Sequence, residues 1–307
     1  MKSSLIKIIR KFVRVLISCK ENERIRDAID RHITHIKRRF SKHTVSDQDI
    51  SECLKAIGIR EGDIIMVHAS WRNFYNYSGS PLSFIELLLR TIGTEGTLLM
   101  PCYGDNKRFF DVNKTPSYAG VLSEEFRRIE GVKRSECSHF SVCAYGKYAD
   151  YFTKEHKNSE FGFDFNSPYY LISQNNKAKI VKFGMGKYPI KLTLIHCVEY
   201  GFKDIYPYFK NYLNVKYETT VVDKLGVKHN KQMIQGIGGK LYKKNIKKVY
   251  KNIPEGLSEY QRIRNIDVRV INANAGYNEI VKLIESGNSM LNPPKTNKYS
   301  FVPLNKI

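Results

Sequence analysis

Two hydrophobic rhythms alternate along most of this chain. Short continuous apolar runs, Ile64-Ile65-Met66-Val67 and Thr97-Leu98-Leu99-Met100, alternate with segments of helical spacing. Ser46 is placed to cap a helix over residues 46–57, which ends before the Glu61-Gly62-Asp63 turn and the first run. A second helix, residues 81–92, leads through Gly93 and Gly96 into the second run, which stops at Pro101. Further strands are predicted at residues 141–145, 178–183, 215–222 and 268–271, and helices at 122–129 and 280–285, with an irregular Pro-rich tail after Leu291. Continuous apolar strands are buried on both faces, so the pattern predicts an α/β fold: a mixed, largely buried sheet flanked by helices.

Ahead of this block the rhythm differs. Leu5, Ile8, Ile9, Phe12, Val13 and Leu16 fall on one helical face, and Lys7, Arg10, Lys11 and Arg14 lie opposite. A basic amphipathic helix of this kind suits an anionic membrane surface, and suits equally well a helix packed on its own domain or on a second subunit. Residues 20–42, with Lys37-Arg38-Arg39, read as an exposed helix or tether. The expected organisation is a helical extension over residues 1–44 and one larger domain over 45–307. The basic residues interrupt the apolar ones, leaving no signal-peptide core and no membrane-spanning run.

Charge adds a constraint on partners. The formal net charge is +21, and residues 1–43 and 205–252 each contribute an excess of +9. Such regions attract polyanions, including nucleic acid, anionic lipid and phosphorylated ligands, or are simply solvated lysines. No nucleic-acid module signature accompanies them, so a specific nucleic-acid partner is not expected. Six cysteines without a CxxC pair fit a reducing cytosol and argue against a zinc ribbon or a disulfide framework. The expected location is therefore cytoplasmic, with a peripheral position at the inner face of a membrane if residues 1–43 bind lipid.

Candidate chemistry concentrates at three places. Thr193-Leu194-Ile195-His196-Cys197-Val198-Glu199 puts an imidazole and a carboxylate three residues apart, on one face of a helix, as a general base needs. His68, Ala69 and Ser70 form a polar turn at the carboxyl end of the first strand, where open α/β sheets bind ligands, and small residues there let backbone donors reach a developing oxyanion. Arg134, with Ser135 and Ser141, suits a phosphate or the amides of a pantetheine arm. Cys137 and His139, two apart, would share a strand face as a thiol–imidazole pair, or the thiol is inert packing.

In chain order these landmarks resemble the aminoglycoside 3-N-acetyltransferase family. Its motifs correspond here to Val67-His68-Ala69-Ser70, Glu95 to Pro101, Thr115-Pro116-Ser117, Phe126-Arg127-Arg128, Gly131 to Ser135, Ser141 to Gly146, Ser167-Pro168 and Thr193 to Glu199. Several weak signals in one order are together specific. The resemblance implies that residues 45–307 are an N-acyltransferase domain moving acetyl from acetyl-CoA to an amine, with coenzyme A and an amino sugar as partners, His196 as the base, and no metal. Glu199 would orient the ring. It places His68, Ala69, Ser70, Arg134, Ser135 and Ser141 on the cofactor, and Thr193, Cys137 and His139 on the acceptor. The chain departs from the family where His-Pro usually follows Arg-Ser-x: Cys137-Ser138 stand there, with His139 next. A strongly basic enzyme repels polycationic drugs at long range, so the expected acceptor is a nucleotide- or lipid-linked amino sugar of surface glycan synthesis. The alternatives are an antibiotic-modifying acetyltransferase, a sugar O-acyltransferase, a metal-dependent hydrolase with His196 and Glu199 as ligands, and a non-catalytic protein that binds membranes or nucleic acid.

Overall fold

A computed structural model describes residue 9 and residues 11–19, 25–186, 193–236 and 252–288. The expected N-terminal helix falls partly outside them, and the tail after Leu291 lies wholly outside; residues 11–16 are helical. The segment read as exposed helix or tether is a helix, α1 (Ile25–Phe40). Next comes α2 (Asp47–Ala56), which starts where the sequence places it. Ser46 and Asp49 form a reciprocal capping box: the Ser46 hydroxyl accepts from the Asp49 amide at 3.2 Å and the Asp49 carboxylate accepts from the Ser46 amide at 2.7 Å.

The centre is a seven-stranded mixed sheet. Its strands are β1 (Ile64–Ala69), β2 (Thr97–Pro101), β4 (Lys133–Arg134), β5 (Val142–Gly146), β6 (Ala178–Phe183), β9 (Ser258–Ile263) and β10 (Ile266–Asn272), in the spatial order β4-β5-β2-β1-β6-β10-β9. Strand β1 runs parallel to β2 and β6, and the outer pairings are antiparallel. The crossover from β1 to β2 is α3 (Pro81–Ile92). Because successive side chains alternate faces, Ile64 and Met66 join one core while Ile65 and Val67 join the other. The second of these cores packs Phe84 and Leu88 of α3 onto one face, with Leu122 and Phe126 of α4 (Val121–Phe126). The first covers the opposite face with α5 (Ala149–Thr153), α6 (Pro168–Ser173), α7 (Leu194–Gly201), α8 (Pro207–Tyr212) and α9 (Ala273–Glu285).

The strand at Val215–Val222, β7, leaves this sheet. It pairs with β8 (Lys228–Gln235) and β3 (Phe109–Asp111) in a separate three-stranded sheet. Part of the second basic region thus becomes a hairpin, whose Lys231 lies near Cys137 of the site described below. Among the described residues no helix is long and apolar enough to cross a membrane.

Candidate functional site

Strand β1 has β2 on one side and β6 on the other, so the chain reverses its direction of travel across the sheet between β1 and β6. The carboxyl ends of two parallel strands splay apart at such a point and leave a crevice. A cleft of about 290 Å³ lies there, lined by Ser70, Arg72, Asn73, Lys182, Gly184, Met185 and Gly186. Its walls are tied across the crevice. The Ser70 amide donates to the Phe183 carbonyl at 3.0 Å, and the Asn73 side-chain amide donates to the Gly184 carbonyl. Gly184 has φ +62°, and a Cβ there would sit 2.9 Å from Asn73 Cβ and 3.1 Å from the Ser70 carbonyl oxygen, so only glycine closes this wall. Lys182 is 3% exposed, a buried cation between Val181 and Phe183.

Of the turn expected to contact the cofactor, Ser70 lines this cleft, while His68 and Ala69 are not among its lining residues. The Ser70 amide is engaged in the strand ladder, which leaves its hydroxyl rather than its N–H for a ligand. Arg72, Asn73, Lys182 and Gly186 were missed from sequence. The Gly184-Met185-Gly186 run and a lysine interrupting an apolar strand were the signals for part of this wall.

Arg134, Ser135 and Ser141, the residues expected on the cofactor, are engaged within the fold. The Arg134 guanidinium stacks 4.6 Å over Phe110 and donates to the carbonyls of Cys102 (2.6 Å), Val112 (3.1 Å) and Thr115 (2.6 Å). Ser141 donates to the Cys102 carbonyl at 2.6 Å. Ser135 accepts from the Val142 amide at 2.8 Å and pairs with His156 Nδ1, also at 2.8 Å. None of the three lines the cleft. A sequence window shows a cation beside two hydroxyls and cannot show the carbonyls that long-range folding brings to them.

The second part of the site is built on α7. Leu194, Ile195, Cys197 and Val198 are buried, which anchors the helix. Of residues 194–199, His196 alone keeps an opening, with its side chain 27% exposed, while the Glu199 side chain is 2% exposed. His196 Nδ1 lies 3.3 Å from Glu199 Oε2. An ionised carboxylate only accepts, so toward such a partner the ring turns an Nδ1–H, and Nε2 is the acceptor of the neutral tautomer that makes this bond. Phe163 packs against the ring at 4.9 Å between centroids. Three buried polar atoms around this helix have no partner: Glu199 Oε1, Thr193 Oγ1 and His139 Nδ1.

His139 belongs to this neighbourhood. Burial pushes its imidazole down to about 4, with Lys107 and His196 acting in the same direction. Its ring lies 6.3 Å from that of Tyr217, over which Lys107 Nζ sits at 5.1 Å while donating to Gln235. Cys137 is placed differently from expectation. It is fully buried, packs with Tyr217 and Met233, and donates to the His139 carbonyl at 3.2 Å. Burial raises its thiol to about 11, so it is neither an acceptor contact nor half of a nucleophilic pair. The nearby Asp164 carboxylate, raised by burial, takes hydrogen bonds from the Ser159 hydroxyl and three backbone amides. Among the described residues no three His, Cys, Asp or Glu side chains form a group able to hold a metal.

Comparisons with known proteins agree on one family. The model of the aminoglycoside 3-N-acetyltransferase family matches residues 66–285. The SPbeta prophage-derived aminoglycoside N(3')-acetyltransferase-like protein YokD of Bacillus subtilis is 29% identical over 146 residues, 39% of this chain and 53% of that protein. Aminoglycoside N(3)-acetyltransferase IV of Salmonella sp is 35% identical over 97 residues, 31% of this chain and 37% of that protein. The chain thus matches about half or less of the length of these curated relatives. Among solved structures, aminoglycoside acetyltransferase AAC(3)-IVa in complex with a gentamicin superposes with a TM-score of 0.69 at 19% identity, covering 87% of this chain and 100% of that one. AAC-IIIb with CoASH superposes with a TM-score of 0.64 at 20% identity, covering 82% and 100%. At such identities the likeness speaks for the fold, and the family model carries the assignment: this chain belongs to the aminoglycoside 3-N-acetyltransferase family.

Proposed function

We propose that this protein transfers an acetyl group from acetyl-CoA to the amine of an amino sugar, with His196 as general base. The carrying observation is the His196–Glu199 pair, held on a buried helix with the histidine side chain partly exposed and the carboxylate buried. An amine is protonated near neutral pH and attacks only after losing a proton. The amine binds as the free base after giving that proton to solvent; as its nitrogen bonds to the thioester carbonyl carbon, His196 Nε2 takes the second proton, which the new N–C bond makes acidic. The C–S bond then breaks, and the thiolate leaves with a proton returned from the imidazolium. Glu199 orients the ring and stabilises its charged form, as the carboxylate of a triad does. Coenzyme A is assigned to the β1–β6 cleft, where Ser70, Arg72 and Lys182 offer donors and charge to a phosphorylated pantetheine.

For the acceptor we favour an anionic amino sugar, linked to a nucleotide or to a lipid phosphate. Lys107 acts on His139 beside His196, and Lys231 on the adjoining β8 acts on buried Cys137 and His156. Asp164 and Glu160 are spent, the first on its four donors and the second on Lys203 and Tyr200. A site flanked this way favours phosphate over a polycation. A lipid-linked acceptor would bring the enzyme to the inner face of a membrane. The second reading is an aminoglycoside acceptor, favoured by the names of the relatives. Release of free thiol from acetyl-CoA, measured across acceptors, separates them. Turnover of nucleotide-linked amino sugars is expected, with KM raised about tenfold in Lys107→Gln. Turnover of kanamycin-type drugs, with none of the anionic sugars, would overturn the acceptor, and release unchanged in His196→Ala would overturn the catalytic reading itself.

A further inference from the structure

Exposed apolar side chains concentrate on the helices that precede the catalytic domain. On the helical residues 11–16, Phe12 is 67%, Val15 74% and Leu16 72% exposed. On α1, Ile29, Ile33, Ile36 and Phe40 are 41, 44, 56 and 77% exposed, and their spacing puts them on one face. The two helical pieces are joined. Arg31 donates to the Ser18 carbonyl at 2.8 Å, and His32 Nε2 donates to the Ile17 carbonyl at 2.7 Å, so both side chains close the open end of the first helix. Exposed apolar area on this scale marks an interaction surface.

Charge selects the occupant. Lys11, Arg14, Lys37, Arg38 and Arg39 share these helices, and residues 1–43 carry a net +9. A second copy of the chain would set this positive patch against itself, since a two-fold interface brings like surfaces together. Anionic lipid neutralises it and accepts the apolar side chains at the same time. We propose that the chain docks on an anionic membrane through residues 11–16 and α1, lying in the lipid interface with Phe12, Leu16 and Phe40 as the inserted side chains.

The position of α1 gives this docking a consequence. It packs on Trp71–Asn73, whose Arg72 and Asn73 line the β1–β6 cleft, and Lys37 Nζ lies 5.6 Å over the Tyr75 ring. Docking therefore holds the rim of that cleft close to the lipid surface. Binding itself stands on the exposed helices alone; only the purpose of that placement rests on the proposed acetyl transfer.

Co-sedimentation of the full chain with vesicles tests it. The chain is expected to pellet with phosphatidylcholine vesicles that contain phosphatidylglycerol, to stay in the supernatant with pure phosphatidylcholine, and to detach as salt rises. Phe12→Asp and Phe40→Asp, at exposed positions that tolerate a charge in the folded chain, should each weaken binding by about tenfold or more. Arg38→Glu with Arg39→Glu should do the same. Acetyl transfer to a water-soluble amino sugar is measured in parallel and stays unchanged in Phe40→Asp, so failure of docking and failure of catalysis are read separately. Wild-type protein that ignores the anionic vesicles, or Phe40→Asp protein that pellets like wild type, overturns the proposal. So does a wild-type dimer that Phe40→Asp converts to a monomer, which would assign the face to a second copy.

Discussion

Two histidines in this molecule each sit beside an oxygen partner, and they do opposite things. His156 pairs with Ser135 at 2.8 Å in a sealed interior, with no exposed surface. His196 pairs with Glu199 at 3.3 Å, but its ring is partly open, and atoms around it lack partners. The first arrangement is sealed from solvent: serine, imidazole and the Val142 amide tie β4 to β5 and the loop beyond, and His156 Nε2 has no hydrogen-bond partner of its own. The second keeps its ring within reach of solvent beside a buried carboxylate. A histidine next to an oxygen, or a buried atom without a partner, is therefore weak evidence of catalysis; a partly exposed ring held by a buried acid is stronger.

Breaking each pair should produce opposite losses. His196→Ala is expected to lower kcat/KM for acetyl transfer about a thousandfold, with the melting temperature nearly unchanged, checked by thiol release and thermal denaturation. Titrating stability should next expose sealed His156 and half-buried His139. Burial above all, with Lys231 second, holds His156 down at about 3, and burial with Lys107 and His196 holds His139 at about 4. Their folded values lie below the unfolded value, so the stabilisation is complete above about pH 6.5 and drains as pH falls toward the folded values. Urea unfolding should show a loss of roughly 3 kcal/mol from His156 alone by about pH 4. His156→Ala should cost about 3 kcal/mol at neutral pH, through a cavity and an orphaned Ser135 hydroxyl, while the folded fraction keeps its specific activity.

Smaller effects sharpen the contrast. Glu199→Gln keeps an oxygen acceptor and removes the charge, so kcat should fall by about tenfold to a hundredfold with KM unchanged, and Glu199→Asp should recover part of it. A purely structural Glu199 would instead lower stability and leave kcat per folded molecule intact. Cys137→Ala is expected to change activity least, with a stability loss of about 1 kcal/mol, and native Cys137 should resist alkylation.

The elements of the fold were legible where local chemistry is strong. Strands β1, β2 and β6 are largely apolar runs, and α2 and α3 begin at serine caps. Strand β8, Lys228–Gln235, is mostly polar and exists because it pairs along the whole of β7; β9 is an exposed edge strand held by β10. Neither leaves a hydrophobic period to read. The membership of β7 in a second sheet was equally hidden, since one strand's pattern does not name its partner.

The site divides the same way. Sequence alone determined the His196–Glu199 contact, because helical geometry fixes which side chains meet within one turn, and it determined the order of landmarks that marks the family. Tertiary structure alone decided that Arg134 stacks on Phe110 and feeds three carbonyls, that Cys137 is buried, and that Ser70 and Lys182, 112 positions apart, face one cleft. It also decided that the apolar stripe of α1 stays in solvent. Burial and distant neighbours depend on how far-separated segments pack, and no local spacing contains that information.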